Sequence, residues 1–169
     1  MLISISFISK LYNSFLDLNH VPIRSVTGLS EDKRYPIENL IDDDHNTFYL
    51  SSSIPTPYPW IEIELMNISL VEHLKITNRK DCCGERLASI EIRVGNKEMS
   101  SRSRRSIAYD NELCARYSGP AKDGETVWVS CRRPISGKYI TIQTQDDTIV
   151  YMNIAEIEVV RNLPGKLSV

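Results

Sequence analysis

The chain has 169 residues, 41% hydrophobic and 25% charged, with a formal net charge of −2. That composition describes one ordinary globular domain long enough to bury a core, and its weak negative charge supplies no field for nucleic acid. No apolar stretch reaches the length of a membrane span, which argues against membrane insertion.

Residues 1–18 begin with the apolar run Met1–Ser9, but no basic residue precedes it, Lys10 interrupts it and no clear small-x-small cleavage site follows. We read 1–18 as an imperfect signal segment or N-terminal extension, 19–160 as the domain and 161–169 as a C-terminal tail. Asn39-Leu40-Ile41-Asp42-Asp43-Asp44-His45-Asn46 is an acidic turn. On its residues it reads as a solvated acidic loop, with calcium as the alternative, since hard cations take roughly six to eight oxygens. It is not an EF-hand, because Thr47 and Ser53 stand where that loop needs Gly and Glu.

From Trp60 onward, alternation with a period of two dominates. Ile61, Ile63 and Leu65 alternate with Glu62 and Glu64; Ile90, Ile92 and Val94 with Glu91 and Arg93; Ile140 and Ile142 with Thr141 and Gln143; Ala155, Ile157 and Val159 with Glu156 and Glu158. Further strands are expected over 70–77 and 126–130, with turns at Ser118-Gly119-Pro120 and Ser136-Gly137. No sustained helical period follows residue 20. The expected fold is all-β, an antiparallel β-sandwich or jelly roll of one domain, whose loops at one end carry recognition. The sequon Asn67-Ile68-Ser69 falls between two expected strands. The pairs Glu62/Glu64 and Glu156/Glu158 are expected on solvated outward faces.

The stretch Thr77-Asn78-Arg79-Lys80-Asp81-Cys82-Cys83-Gly84-Glu85-Arg86-Leu87 leaves an expected strand and reads as a built site. Each arginine presents a planar fork of donors, suited to a ligand rich in oxygen acceptors, and Asp81 can orient that fork. Neighbouring Cα atoms lie about 3.8 Å apart, below the usual disulfide span of roughly 4.4 to 6.8 Å. A Cys82–Cys83 bridge is then a strained ring, a poor staple but a rigid apolar plate for the carbon face of a ligand. Two unpaired thiols are the alternative. Arg102-Ser103-Arg104-Arg105 reads as a solvated loop, with proprotein cleavage as the lesser reading. Cys114 and Cys131 bracket a Gly/Pro-bearing loop and fit a hairpin-closing disulfide, which implies an oxidising compartment.

Ile76-Thr77-Asn78-Arg79-Lys80-Asp81-Cys82-Cys83-Gly84-Glu85-Arg86, followed by Ile90–Gly95, resembles the F-type lectins, the eel-agglutinin-like fucolectins. Arg79, Asp81 and Arg86 match the R-x-D-x4-basic half of that family's signature, and the likeness runs from about His20 to Val160. The resemblance implies a discoidin-like sandwich and a secreted, calcium-stabilised lectin that binds fucose or fucosylated glycans without chemistry. Arg79 and Arg86 would donate to sugar oxygens, Asp81 would hold the fork, Cys82 and Cys83 would pack on the sugar's carbon edge, and Tyr49 would face its methyl group. Structural Ca2+ would be held by Asp42 and Glu156 through side chains, with Asn39, Asp44, Ser52 and Ala155 supplying carbonyl or side-chain oxygens. A homo-oligomer would add avidity to a weak single site.

Two departures from the family pattern bear on this reading. A cysteine pair common in the family is replaced by Ser53 and Ala155. The family's sugar-contacting His falls at Ser52, or at Pro55 by local alignment, while His45 and His73 read as ordinary exposed or packed histidines. The alternative function is therefore a β-sandwich adhesion module that has lost sugar binding. An enzyme is not expected: no G-x-S-x-G, H-E-x-x-H, C-x-x-C or P-loop occurs.

Overall fold

A computed structural model describes residues 19–28, 32–52, 56–99, 110–145 and 149–161. The expected N-terminal extension 1–18, Ser53, Pro55, Arg102–Arg105 and the tail beyond Arg161 lie outside these residues. Ten strands occur among the described residues: β1 (Ile23–Gly28), β2 (Tyr49–Leu50), β3 (Thr56–Pro57), β4 (Trp60–Thr77), β5 (Ile90–Gly95), β6 (Glu112–Tyr117), β7 (Thr126–Thr144), β8 (Ile149–Val150), β9 (Asn153–Ile154) and β10 (Glu156–Val160). Helical structure among them includes 3-10 turns at Ile37–Leu40 and Gly84–Arg86. The fold class is the expected all-antiparallel one.

The main sheet runs β1-β4-β7-β5-β6, with β10 paired to the C-terminal half of β4. Two expected strands, 61–65 and 70–77, are one 18-residue strand, and 126–130 and 140–142 belong to one 19-residue strand. Extended flat, β4 would reach roughly 60 Å, yet Ile61, Ile63, Leu65, Val71, Leu74 and Ile76 all enter one core cluster. Only a sheet folded over on itself brings them together. Register shifts between Glu64 and Ser69 and between Val71 and His73 make that fold, because an extra residue bends a strand and increases its twist. They also move the buried parity from odd (Ile61, Ile63, Leu65, Val71) to even (Leu74, Ile76). The sequon sits at this bend inside β4, with Met66, Asn67 and Ile68 exposed, rather than between separate strands.

Disulfides join Cys82 to Cys83 and Cys114 to Cys131, leaving no free cysteine, and the second ties β6 to β7. The two ends of the domain pair with each other. Val21 donates to the Val159 carbonyl, Arg161 to the Asn19 carbonyl, and His20 bridges Val160.

The glutamates expected on solvated faces divide differently. Glu64 is half-buried and paired with Lys138, and Glu158 with Lys75, but Glu62 is 5% and Glu156 2% exposed. Strand alternation assigns a residue to a face and does not reveal what covers that face. Here residues 97–99 fold back over β4, and the Met99 N–H donates to Glu62 Oε2 at 2.7 Å. The same outer face buries Glu91, which accepts from Arg93 (2.5 Å) and Arg116 (2.7 Å).

Burial pushes the Glu62 carboxyl from 4.5 up to about 7, only partly offset by the Met99 hydrogen bond. Between those values the folded chain holds a proton that the unfolded chain releases, so stability falls as pH rises through that window. The loss is expected to be of order 3 kcal/mol once complete. Glu62→Gln keeps an acceptor for Met99 and removes the titration, so urea denaturation at about pH 5 and about pH 8 should show a flatter decline than wild type. Equal declines would refute the assignment.

Candidate functional site

The loop that leaves β4 is fixed by Asn78, which is 1% exposed. Its Nδ2 donates to the carbonyls of Gly84 (2.9 Å) and Lys122 (3.0 Å), and its Oδ1 accepts the Arg79 N–H (2.9 Å). One side chain thus closes the 78–84 turn and clips it to the neighbouring 119–125 loop. The Gly84 N–H donates to Asp123 Oδ1 at 2.7 Å, and a Cβ on Gly84 would stand 2.5 Å from the Asp123 nitrogen. Any larger residue would push the two loops apart. Cys83, at φ 65°, turns the chain into the 3-10 segment that carries Arg86.

Within this frame Arg79 and Asp81 form a two-point ion pair, Nε to Oδ1 at 2.5 Å and Nη2 to Oδ2 at 2.8 Å. The pair holds the Asp81 carboxyl down at about 2, mainly through the hydrogen bond from Arg79. Two of the five guanidinium N–H groups are engaged, leaving three for a ligand. The Arg79 guanidinium lies 3.8 Å over the Phe48 ring, and Phe48 stacks on Tyr35 with centroids 4.3 Å apart. Arg86 lies 4.7 Å over the Tyr151 ring. Among the described residues no hydrogen-bond or ion-pair partner holds its side chain. Beneath the arginines is a satellite cluster, separate from the main core, of Phe48, Leu50 and Ala155 with Tyr35 and Tyr151.

Arg79, Asp81, Cys82, Cys83 and Arg86 therefore share one loop, as expected from their spacing. Tyr49 does not join them. It is fully buried in the main core, because Phe48 and Tyr49 are consecutive in extended chain and point to opposite sides. Phe48, not Tyr49, is the ring that lies under Arg79. Tyr35, Phe48 and Tyr151 carry no local mark in the sequence, and for Asn78 the only one is its place immediately before the R-x-D run.

The acidic turn lies beside the loop, with Lys80 Nζ donating to Asn46 Oδ1. Asp42 accepts from the Asp44 N–H (3.0 Å) and the Thr47 hydroxyl (2.8 Å), and Asp44 accepts from Asn46 (2.9 Å). Asn39 Nδ2 is engaged by the Phe48 carbonyl, leaving its Oδ1 as an available oxygen. The Ala155 N–H donates to the Thr77 carbonyl (2.9 Å), and Ser52 is half-buried. Glu156 accepts the Asp43 N–H at 3.0 Å and has no ion pair among the described residues. Burial, and then the nearby Asp42 and Asp43 charges, push its carboxyl up to about 7. Among the described residues no three His, Cys, Asp or Glu side chains already stand at metal-ligand spacing. A buried carboxylate beside two more, without a cation, nevertheless suits a divalent ion. An open cavity of about 300 Å³ reaches Asp43 and Glu156.

A family model described as F5/8 type C domain matches residues 25–157. Fucolectin-5 of Anguilla japonica is 32% identical over 131 residues, 78% of this chain and 65% of that protein. Fucolectin of Anguilla anguilla is 31% identical over 125 residues, 72% of this chain and 73% of that protein. The chain thus spans about two thirds of the length of the curated relatives it matches. Among solved structures, an F-lectin (fucolectin) from the serum of striped bass, Morone saxatilis, superposes with a TM-score of 0.67 at 24% identity, covering 80% of this chain and 46% of that one. The family 32 CBM of C. perfringens NanJ, solved in complex with galactose, gives 0.68 at 19% identity over 85% of this chain and 98% of its own. Among the described residues no helix is long and apolar enough to cross a membrane.

Proposed function

This chain belongs to the F5/8 type C domain family and to its fucolectins, and on that premise we propose that it is a secreted lectin that binds fucosylated glycans and leaves them chemically unchanged. The observation that carries the reading is the pair of guanidinium groups placed over aromatic rings, Arg79 over Phe48 and Arg86 over Tyr151, with most of their donors unengaged. Such donors match the hydroxyl and ring oxygens of a sugar. Asp81 holds the Arg79 fork, the Cys82–Cys83 plate meets the carbon edge of the ring, and Phe48 supplies the apolar wall beside the deoxy methyl. With no histidine at Ser52, one neutral hydrogen bond of roughly 0.5 to 1.5 kcal/mol is missing. That lowers affinity by up to about tenfold and leaves the arginine contacts as the main source of recognition.

Calcium fits as a structural ion. Glu156 and Asp42 would supply carboxylate oxygens, and Asn39, Asp44, Ser52 and Ala155 side-chain or carbonyl oxygens. Bound there, the ion neutralises a buried carboxylate and anchors the acidic turn that contacts Lys80. Copies of the domain in a homo-oligomer would raise avidity.

A glycan array probed with and without chelator tests the reading. Binding confined to fucosylated glycans and weakened by chelator is expected. Absence of any fucosylated glycan among the ligands, even in multivalent display, would replace the lectin with an adhesion module.

A further inference from the structure

Of the asparagines in the chain, only Asn67 is followed two residues on by a serine or threonine, in Asn67-Ile68-Ser69. The fold gives a modifying group room there. Glu64 pairs with Tyr139 and Ser69 with Gly137, so residues 65–68 of β4 stand opposite Lys138 alone and bulge away from β7. Asn67 shares the strand parity of Leu65, Ser69 and Val71, all of them buried, yet it is exposed. The core ends short of this tip, and among the described residues nothing closes over the Asn67 side chain.

The tip also lies far from the recognition loop. Thr77, at one end of β4, opens that loop. Trp60, at the other end, pairs with Gln143, and the next residue, Thr144, borders one cavity with Arg86. Both ends of β4 therefore reach the recognition end of the domain, and the bend between them marks the opposite one. A group on Asn67 leaves the arginines open.

The surroundings suit a covering carbohydrate. Met66 (45% exposed), Ile68 (62%) and Leu70 (45%) alternate along the outer side of the same bend. Neighbouring large apolar side chains in solvent form a patch that invites association when bare. Asn67 stands between two of them, so a hydrated oligosaccharide attached there shields the strip.

We propose that Asn67 carries an N-linked oligosaccharide that covers the apolar tip and leaves the sugar-binding loops free. This rests on the secretion reading above. The donor is a polyprenyl-diphosphate-linked oligosaccharide of the secretory compartment. Its C1–O bond to the diphosphate breaks, C1 bonds to Asn67 Nδ2, the lipid diphosphate leaves with the bonding electrons, and one amide proton passes to solvent. The Ser69 hydroxyl completes the acceptor sequence. At 9% exposure in the folded domain it is read before folding buries it.

The full chain secreted by cultured animal cells tests this. Digestion with peptide-N-glycosidase is expected to lower its mass and to leave an aspartate in place of Asn67. Asn67→Gln and Ser69→Ala should each abolish the mass shift, while Ser69→Thr keeps it, which separates the need for a hydroxyl from any effect on folding. Asn67→Gln should bind fucosylated glycans as wild type does, and glycosidase-treated wild type should take up more of an apolar dye. Secreted wild type with Asn67 unmodified would overturn the proposal. So would an unchanged dye signal, or loss of glycan binding in an Asn67→Gln protein that melts like wild type. A chain retained in the cytosol with both disulfides open would instead remove the secretion reading, and the attached oligosaccharide with it.

Discussion

Arg79→Ala is expected to reduce binding of fucosylated glycans by at least about 100-fold while leaving the fold intact. The magnitude follows from the loss of two or more charge-assisted hydrogen bonds of roughly 1.5 to 3 kcal/mol each. The fold should survive because the Asp81 side chain, which loses its partner, is 59% exposed and remains solvated. Asn78 and Gly84, not Arg79, fix the loop. Arg79→Lys should fail nearly as badly, since a single ammonium cannot grip both Asp81 oxygens and still present a planar edge to the sugar. Arg86→Ala should behave like Arg79→Ala. Titration against an immobilised fucosylated glycan, with thermal melts as the control for folding, measures all three. Wild-type affinity in Arg79→Ala would remove the fork from the mechanism.

Calcium should raise the melting temperature by roughly 5 to 10 °C. An ion present at about 100 times its dissociation constant contributes about 2.7 kcal/mol to the folded state, and a chain of this size gains about 2 to 4 °C per kcal/mol. Glu156→Gln separates this effect from general ionic strength. The glutamine still accepts the Asp43 N–H, but it carries no buried charge. The metal-free variant should therefore melt above metal-free wild type at about pH 8 and respond little to calcium. Equal calcium shifts in the two proteins, or none in wild type with no metal found by elemental analysis, would dismiss Glu156 as a ligand.

The parts of the molecule legible in the sequence are those whose determinants are contiguous. Ile90–Gly95 and Glu156–Val160 alternate cleanly and form strands where alternation places them. The recognition loop fits within eight residues, Arg79 to Arg86. What escaped depends on register or on distant neighbours. The bulges of β4 and β7 shift the apolar parity in mid-strand, so each long strand reads as two short ones. β1 (Ile-Arg-Ser-Val-Thr-Gly) and β6 (Glu-Leu-Cys-Ala-Arg-Tyr) alternate too weakly to register. Tyr49 faces the core and Phe48 the arginines, because a one-residue difference exchanges the faces of an extended chain. Phe48 and Tyr151 lie about a hundred residues apart in sequence, and the β2–β9 pairing that brings their segments together leaves no local mark. Alternation alone places Glu62 and Glu156 in solvent, because it carries no information about covering segments.

The pairing of Asn19, His20 and Val21 with Val159, Val160 and Arg161 has an architectural consequence. Entry and exit of the folded unit lie side by side, as at the base of a plug, so the unit can be spliced into a surface turn of another protein without stretching its host. Copies joined in series would each hang from a short common stalk, free to turn. The spacing between their sugar sites would then be set by the connecting segments rather than by the domain, and tuning those segments would match an array to a chosen glycan density.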